Sequence, residues 1–96
     1  MMIGRLTKDP EVRVTNSGKS VSTFTLAIDR RFSKEKEADF IPCVAWGKTA
    51  EIVGNYCDKG KQVAAVGRIQ VRNYETQDGQ KRYVTELIVN ELELIS

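Results

Sequence analysis

The sequence predicts an all-β barrel with one short helix, and three observations carry that prediction. Turn-forming residues cut the chain into short apolar segments at close intervals, which is the pattern of all-β domains. The clearest segments alternate apolar and polar residues, the period of two that turns one face of a strand toward a core. Only one stretch has the three-and-four spacing of a helix. A single short helix among strands suits a plug at one end of a barrel.

The elements follow in order. Residues 1–6 read as a first strand with almost no lead-in, and Thr7-Lys8-Asp9-Pro10-Glu11 as a turn. A short strand follows at 12–15, and Asn16-Ser17-Gly18 turns the chain again. In the next strand Phe24, Leu26 and Ile28 alternate with Thr23, Thr25 and Ala27, so one face is apolar. Residues 29–39 are dense in mixed charge and read as an exposed loop. Over 40–46, Phe40, Val44 and Trp46 point one way and Ile41, Cys43 and Ala45 the other. Pro42 donates no ladder hydrogen bond, so it belongs at an edge or a bulge.

The helical stripe is Ala50, Val53, Tyr56 and Cys57, between Lys48 and Lys59, with Gly60 as the expected stop. Gly54 weakens this helix, which must lean on packing. The last third is a long hairpin, 62–76 and 80–95, around Asp78-Gly79, a dipeptide that a two-residue turn prefers. That turn sets Thr76 against Lys81, Glu75 against Arg82, Tyr74 against Tyr83, Arg72 against Thr85 and Ile69 against Ile88. One face of the arm then carries Arg68, Arg72, Tyr74, Lys81 and Tyr83. The other carries Ile69, Val71, Val84 and Ile88, with Glu75 and Arg82 as a cross-strand ion pair.

The 96 residues fit one domain, 1–96, with no linker, repeat or low-complexity segment. A domain of this size owns only a thin core, to which oligomerisation would add. No apolar run approaches a membrane span, and Arg5 interrupts the only apolar stretch at the start, so the expected location is cytoplasmic. Cys43 and Cys57 match no disulfide scaffold or zinc spacing and read as small buried hydrophobes. Residues 86–96 carry three acids and no base, whereas residues 1–85 hold all 15 Lys and Arg against 10 acids, a net of +5. That imbalance fits a polyanionic partner as well as ordinary solubilising charge.

Histidine is absent, which removes the commonest general base and metal ligand. The glycines form neither a P-loop nor a dinucleotide fingerprint, and the acids have no catalytic spacing. The expectation is therefore a binding protein, not an enzyme, with no cofactor and no metal. Aromatic and basic residues interleave instead. Phe32 lies among Arg30, Arg31, Lys34 and Lys36; Phe40 and Trp46 share a strand face leading to Lys48; Tyr74 and Tyr83 stand near Arg72 and Lys81. Unpaired nucleic acid calls for this mixture, a π-face for each base and a cation for each phosphate. The pattern alone leaves Phe40 and Trp46 open between core and platform, and Tyr74 and Tyr83 between platform and cross-strand staple. Phe32, amid charges, has no evident core to enter.

Over essentially its whole length the chain resembles the bacterial-type single-stranded DNA-binding protein family. The matching segments are Ile3-Gly4-Arg5-Leu6, Asp9-Pro10-Glu11-Val12-Arg13, Phe24-Thr25-Leu26-Ala27 and Trp46-Gly47-Lys48-Thr49-Ala50-Glu51. They continue with Lys59-Gly60, Gly67-Arg68-Ile69, Arg72-Asn73-Tyr74 and Asp78-Gly79-Gln80-Lys81-Arg82-Tyr83. The resemblance implies a five-stranded OB-fold barrel with a short α-helix and a projecting hairpin, a homotetramer, and DNA wrapped over aromatic platforms. It carries stacking to Phe32, Phe40, Trp46 and Tyr74, to which the arm adds Tyr83. The basic contacts are expected at Arg5, Lys48, Lys59 and Arg72, with Arg68 and Arg31 beside them.

The implied role is to cover transiently unpaired DNA during replication, recombination, repair or DNA uptake. An OB-fold RNA-binding module would share the same surface, and a purely structural subunit would use the barrel for assembly. Family members carry several more residues before the first strand, and a flexible tail whose acidic tip docks replication and repair proteins. Neither stands in this sequence, so tail-borne partners are not expected.

Overall fold

The structure, a computed structural model, describes residues 2–29 and 38–95. Its elements are β1 (Met2–Leu6), β2 (Glu11–Val14), β3 (Ser20–Asp29), β4 (Ala38–Trp46), α1 (Gly47–Tyr56), β5 (Gln62–Glu75) and β6 (Lys81–Ile95). The sheet runs β1-β5-β6-β4-β3-β2, and β1 also pairs with β3. Five strands thus close into a ring, as the all-β expectation requires. β2 hangs on β3 as a sixth, edge strand, one residue earlier than the sequence placed it.

Closure depends on β1. It pairs antiparallel with β5, from Met2 opposite Ala65 to Arg5 opposite Gln62, and with β3 through Arg5–Ala27 and Leu6–Leu26. A Cβ on Gly4 would lie 2.6 Å from the Ala27 carbonyl oxygen, so only glycine lets the two strands meet there. The join is completed when the Leu6 N–H donates to Lys61 O and the Gly60 N–H to Leu6 O, at 3.0 and 2.8 Å.

Alternation then sorts each strand. Leu6, Phe24, Leu26, Cys43, Ala45, Val63, Ala65, Leu87 and Val89 point inward and are buried together. Phe40 and Trp46 point outward, at 64% and 47% exposure, which resolves what their strand pattern left open. Burial pushes the Cys43 thiol up to about 12 and raises that of Cys57, so both behave as small apolar groups. Pro42 lies just outside the three-residue ladder of β4 with β6, Cys43 to Ala45, where a missing donor is tolerated.

Helix α1 covers one end of the ring through Ala50 and Val53, both fully buried. Gly54 faces β2, where a Cβ would come within 2.9 Å of a Val12 methyl. Its propensity penalty is the condition for that approach. Tyr56 departs from the expected stripe and is exposed. At roughly 100° per residue, Ala50, Val53 and Cys57 share one narrow sector, and Tyr56 falls about 60° beyond Val53. The helix also stops before Gly60. Cys57 is already extended, and its N–H donates to Val53 O at 3.0 Å. Gly60, at φ +88°, instead turns the chain into β5.

The hairpin has a different turn and register from the one expected. Thr76 N–H donates to Gln80 O and Gly79 N–H to Thr76 O, which makes a three-residue loop with Gly79 at φ +83°. Thr76 itself selects this loop. Its hydroxyl donates to the Asp78 carboxylate, holding that acid below its usual range, and accepts the Gln80 N–H. Every arm pair therefore shifts by one: Glu75 faces Lys81, Tyr74 faces Arg82, Asn73 faces Tyr83 and Arg72 faces Val84. Tyr74 and Tyr83 do not pair but stand on opposite faces, and the Glu75–Arg82 pair is not formed. Arg82 instead donates to the Gln80 side-chain oxygen at 3.0 Å. Ile69 and Val71 lie on the Tyr83 face and are exposed, whereas Val84 and Ile88 share the Tyr74 face.

Between Val66 and Gly67 the register slips, leaving Asn90 as a bulge on β6. A Cβ on Gly67 would sit 1.8 Å from Ile88 O. Gly67→Ala should therefore destabilise the fold by about 2–3 kcal/mol or more, because backbone must move. A urea midpoint unchanged from the parent would show that the bulge tolerates a side chain.

Candidate nucleic-acid interface

The outward side chains form rows across the sheet, fixed by the strand registers. One row is Arg13–Val21–Trp46. A second crosses five strands as Glu11–Thr23–Val44–Ile88–Arg68. Apart from Glu11, which lines the smaller hollow beside it, these rows line an open groove of about 790 Å³ whose wall includes Arg13, Trp46, Arg68, Arg72 and Glu86, with Val44 and Ile88 as apolar lining. A smaller hollow of about 240 Å³ shares Thr23, Val44, Arg72 and Glu86 with it and extends to Lys8, Pro42 and Val84.

The groove thus offers an aromatic face, apolar lining and three guanidinium groups against one carboxylate. Glu86 is the exception to a basic site: its side chain is 7% exposed, and its Oε1 lies 3.1 Å from Arg72 Nε, whose side chain is 59% exposed. Arg72 and Glu86 are diagonal neighbours on one face, since Arg72 sits opposite Val84 and Gln70 opposite Glu86. Tyr74 continues the Arg72 face toward the tip, about half exposed.

The other expected residues lie apart from the groove. Phe40, Ala27 and Arg5 form a row of their own. Arg5 donates from Nη1 to Gly60 O at 3.0 Å, which brings it beside Lys59, whose N–H is held by Asp9 at 2.8 Å. Lys48 stands in the first turn of α1, two residues past Trp46, and is exposed. Tyr83 is on the reverse face of the arm. Arg31 and Phe32 lie outside the described residues.

Sequence reasoning missed Arg13, Gln70, Ile88 and Glu86 as groove residues. Val44 was placed on the Trp46 face, which was signal enough for the apolar lining. The rest depend on the arm register and on β2, neither of which local patterning fixes.

Among the described residues no three acids or cysteines gather as a metal site, and the groove's chemistry suits an extended polyanion carrying flat apolar groups. The sequence matches the single-strand binding protein family over residues 1–95. The chain belongs to that family. It is 55% identical to a single-stranded DNA-binding protein of Clostridium tetani, covering 99% of this chain and 68% of the relative. It is 54% identical to single-stranded DNA-binding protein 3 of Clostridium acetobutylicum, with the same two coverages. A single-stranded DNA-binding protein of Enterococcus faecalis is 52% identical over 99% of this chain and 52% of its own length. Family membership agrees with the all-β fold, the single helix and the long hairpin. Among the described residues no helix is long and apolar enough to cross a membrane.

Trp46 is outside the buried cluster, so Trp46→Ala should cost about 1 kcal/mol or less. A core tryptophan would cost about 3–5 kcal/mol. Thermal melting distinguishes the two, and a loss in the larger range would return Trp46 to the core.

Proposed function

We propose that residues 1–96 form one unit that binds single-stranded DNA over the outer face of the sheet, without reading its sequence. The observation that carries this is Trp46, half exposed in a groove with Arg13, Arg68 and Arg72. Bases stack on Trp46, Tyr74 and Phe40; phosphates meet the groove arginines, then Arg5 and Lys59 near Phe40, and Lys48 beside Trp46. Arg31 and Phe32 keep the contact roles that the family resemblance gives them. Stacking contributes about 1–3 kcal/mol per base and accepts any base, so the surface holds a strand with little regard for its sequence. The relatives' names favour DNA over the RNA-binding alternative.

The role that follows is protection of unpaired DNA in replication, recombination, repair or DNA uptake, in the cytoplasm, by a binding protein and not an enzyme. We further assign the protein to a homotetramer. Ile69, Val71 and Tyr83 leave a broad apolar face on the side of the arm away from the groove, each half exposed or more. This face suits a second copy, and Tyr83 serves there instead of on the DNA path.

Titration with oligo-dT of increasing length, followed by Trp46 fluorescence with mass measured in parallel, tests both readings. With about five of the seven proposed cations each neutralising a phosphate at one time, log affinity should fall against log salt with a slope near −3 to −4 per chain. Binding that ignored salt, or that preferred oligo-U, would refute the DNA assignment; a monomer at micromolar concentration would refute the tetramer alone.

The two arm tyrosines should separate. Tyr74→Ala should weaken oligo-dT binding by about 1–3 kcal/mol while leaving the mass unchanged. Tyr83→Ala should spare the contact and lower the mass. The opposite pattern would mean that the strand runs over the reverse face of the arm.

A further inference from the structure

A nearly buried carboxylate in a groove for a polyanion needs a reason, because it repels the phosphates that the arginines attract. Glu86 is directly opposite Gln70, and among the described residues its one ion pair is with Arg72. The contact uses Arg72 Nε, one corner of a planar fork of five N–H donors. Four donors remain on the two terminal nitrogens, on a side chain that is 59% exposed and lines both the groove and the hollow beside it.

We propose that Glu86 is a positioning residue: it grips the Nε corner of Arg72 and so fixes the guanidinium plane with its terminal N–H groups turned to the strand. The inference rests on the reading of Arg72 as a phosphate contact. A free arginine would have to be ordered on binding, at a cost in rotamer entropy. Here the ordering is complete before the strand arrives. The grip also explains why arginine suits this position, since an ammonium drawn to Glu86 keeps two N–H groups but no rigid plane that aims them at the strand.

Four variants decide it, each measured for oligo-dT affinity by Trp46 fluorescence and for melting. Arg72→Ala should weaken binding about tenfold, the size of one charge-assisted contact. Arg72→Lys should weaken it nearly as much, despite keeping the charge. Glu86→Gln should bind at least as tightly as the parent, because the amide oxygen still accepts from Nε and a negative charge is gone. Glu86→Leu removes the same charge but no longer grips, and should bind several-fold more weakly than Glu86→Gln. Arg72→Lys binding like the parent, or Glu86→Leu matching Glu86→Gln, would overturn the positioning role. Arg72→Ala binding like the parent would instead overturn the phosphate contact itself. Should Glu86→Leu fail to melt cooperatively, Arg72→Lys decides alone, since Arg72 is exposed and its replacement leaves the core intact.

Discussion

The closure of the sheet by β1 is the constraint on which the rest depends. Five residues, Met2–Leu6, pair with β5 on one side and β3 on the other. Without that join β5 and the part of β3 beyond its pairing with β2 are open edges, and the apolar faces of Phe24, Leu26, Val63 and Ala65 have no enclosed interior to share. The contact is close enough that Gly4 has no room for a side chain. A thin core follows from the ring's small bore. Cys43, Ala45, Ala50 and Ala65 fill it with small side chains, and α1 covers its end. In a domain this small the loss of any one of these contacts is a large fraction of the total.

Closure also creates the proposed binding surface. Once one face of every ring strand is committed inward, the alternate residues must face out, whatever their chemistry. Phe40, Val44 and Trp46 are apolar residues on β4 that the ring turns toward solvent. In the core they would have stabilised the fold; outside they are free to serve the proposed stacking role. The parallel pairing of β4 with β6 then sets Val44 beside Ile88, and β5 brings Arg68 to the same row. The groove is thus made of residues far apart in sequence, and its composition is a consequence of strand order.

That division explains which features the sequence made legible. The alternation in β3 and β4 is local, so the apolar face of Phe24 and Leu26 could be read directly, as could the two faces of β4, Phe40 with Trp46 and Cys43 with Ala45, though not which of the two turns inward. The hairpin register could not. Asp78-Gly79 suits a two-residue loop as well as a three-residue one, and the Thr76 hydroxyl, bonded to both Asp78 and Gln80, decides between them. A shift of one residue moves every side chain of one strand relative to its partner. It separates Tyr74 from Tyr83, and it brings Glu86 opposite Gln70 and within reach of Arg72. The bulge at Asn90 then restores, for the lower part of the hairpin, the pairing that a two-residue turn would have given throughout. The family resemblance implied the fold, which the structure bears out, but a resemblance by segment carries no information about which face a side chain takes.

The same shift reframes the electrostatics of the site. From sequence, Glu86 belongs to an acidic final stretch and Arg72 to a basic arm, as if charge were segregated along the chain. In the fold they form one pair, with the carboxylate nearly buried and the guanidinium half out. Removing a carboxylate from water is costly unless its partner is well placed, so Glu86 and Arg72 hold one another in position. The groove's charge is therefore not a diffuse excess of cations. It includes, beside Arg13 and Arg68, one guanidinium group held in place by a carboxylate, which suits the proposed ligand, whose phosphates recur at fixed spacing while its bases vary.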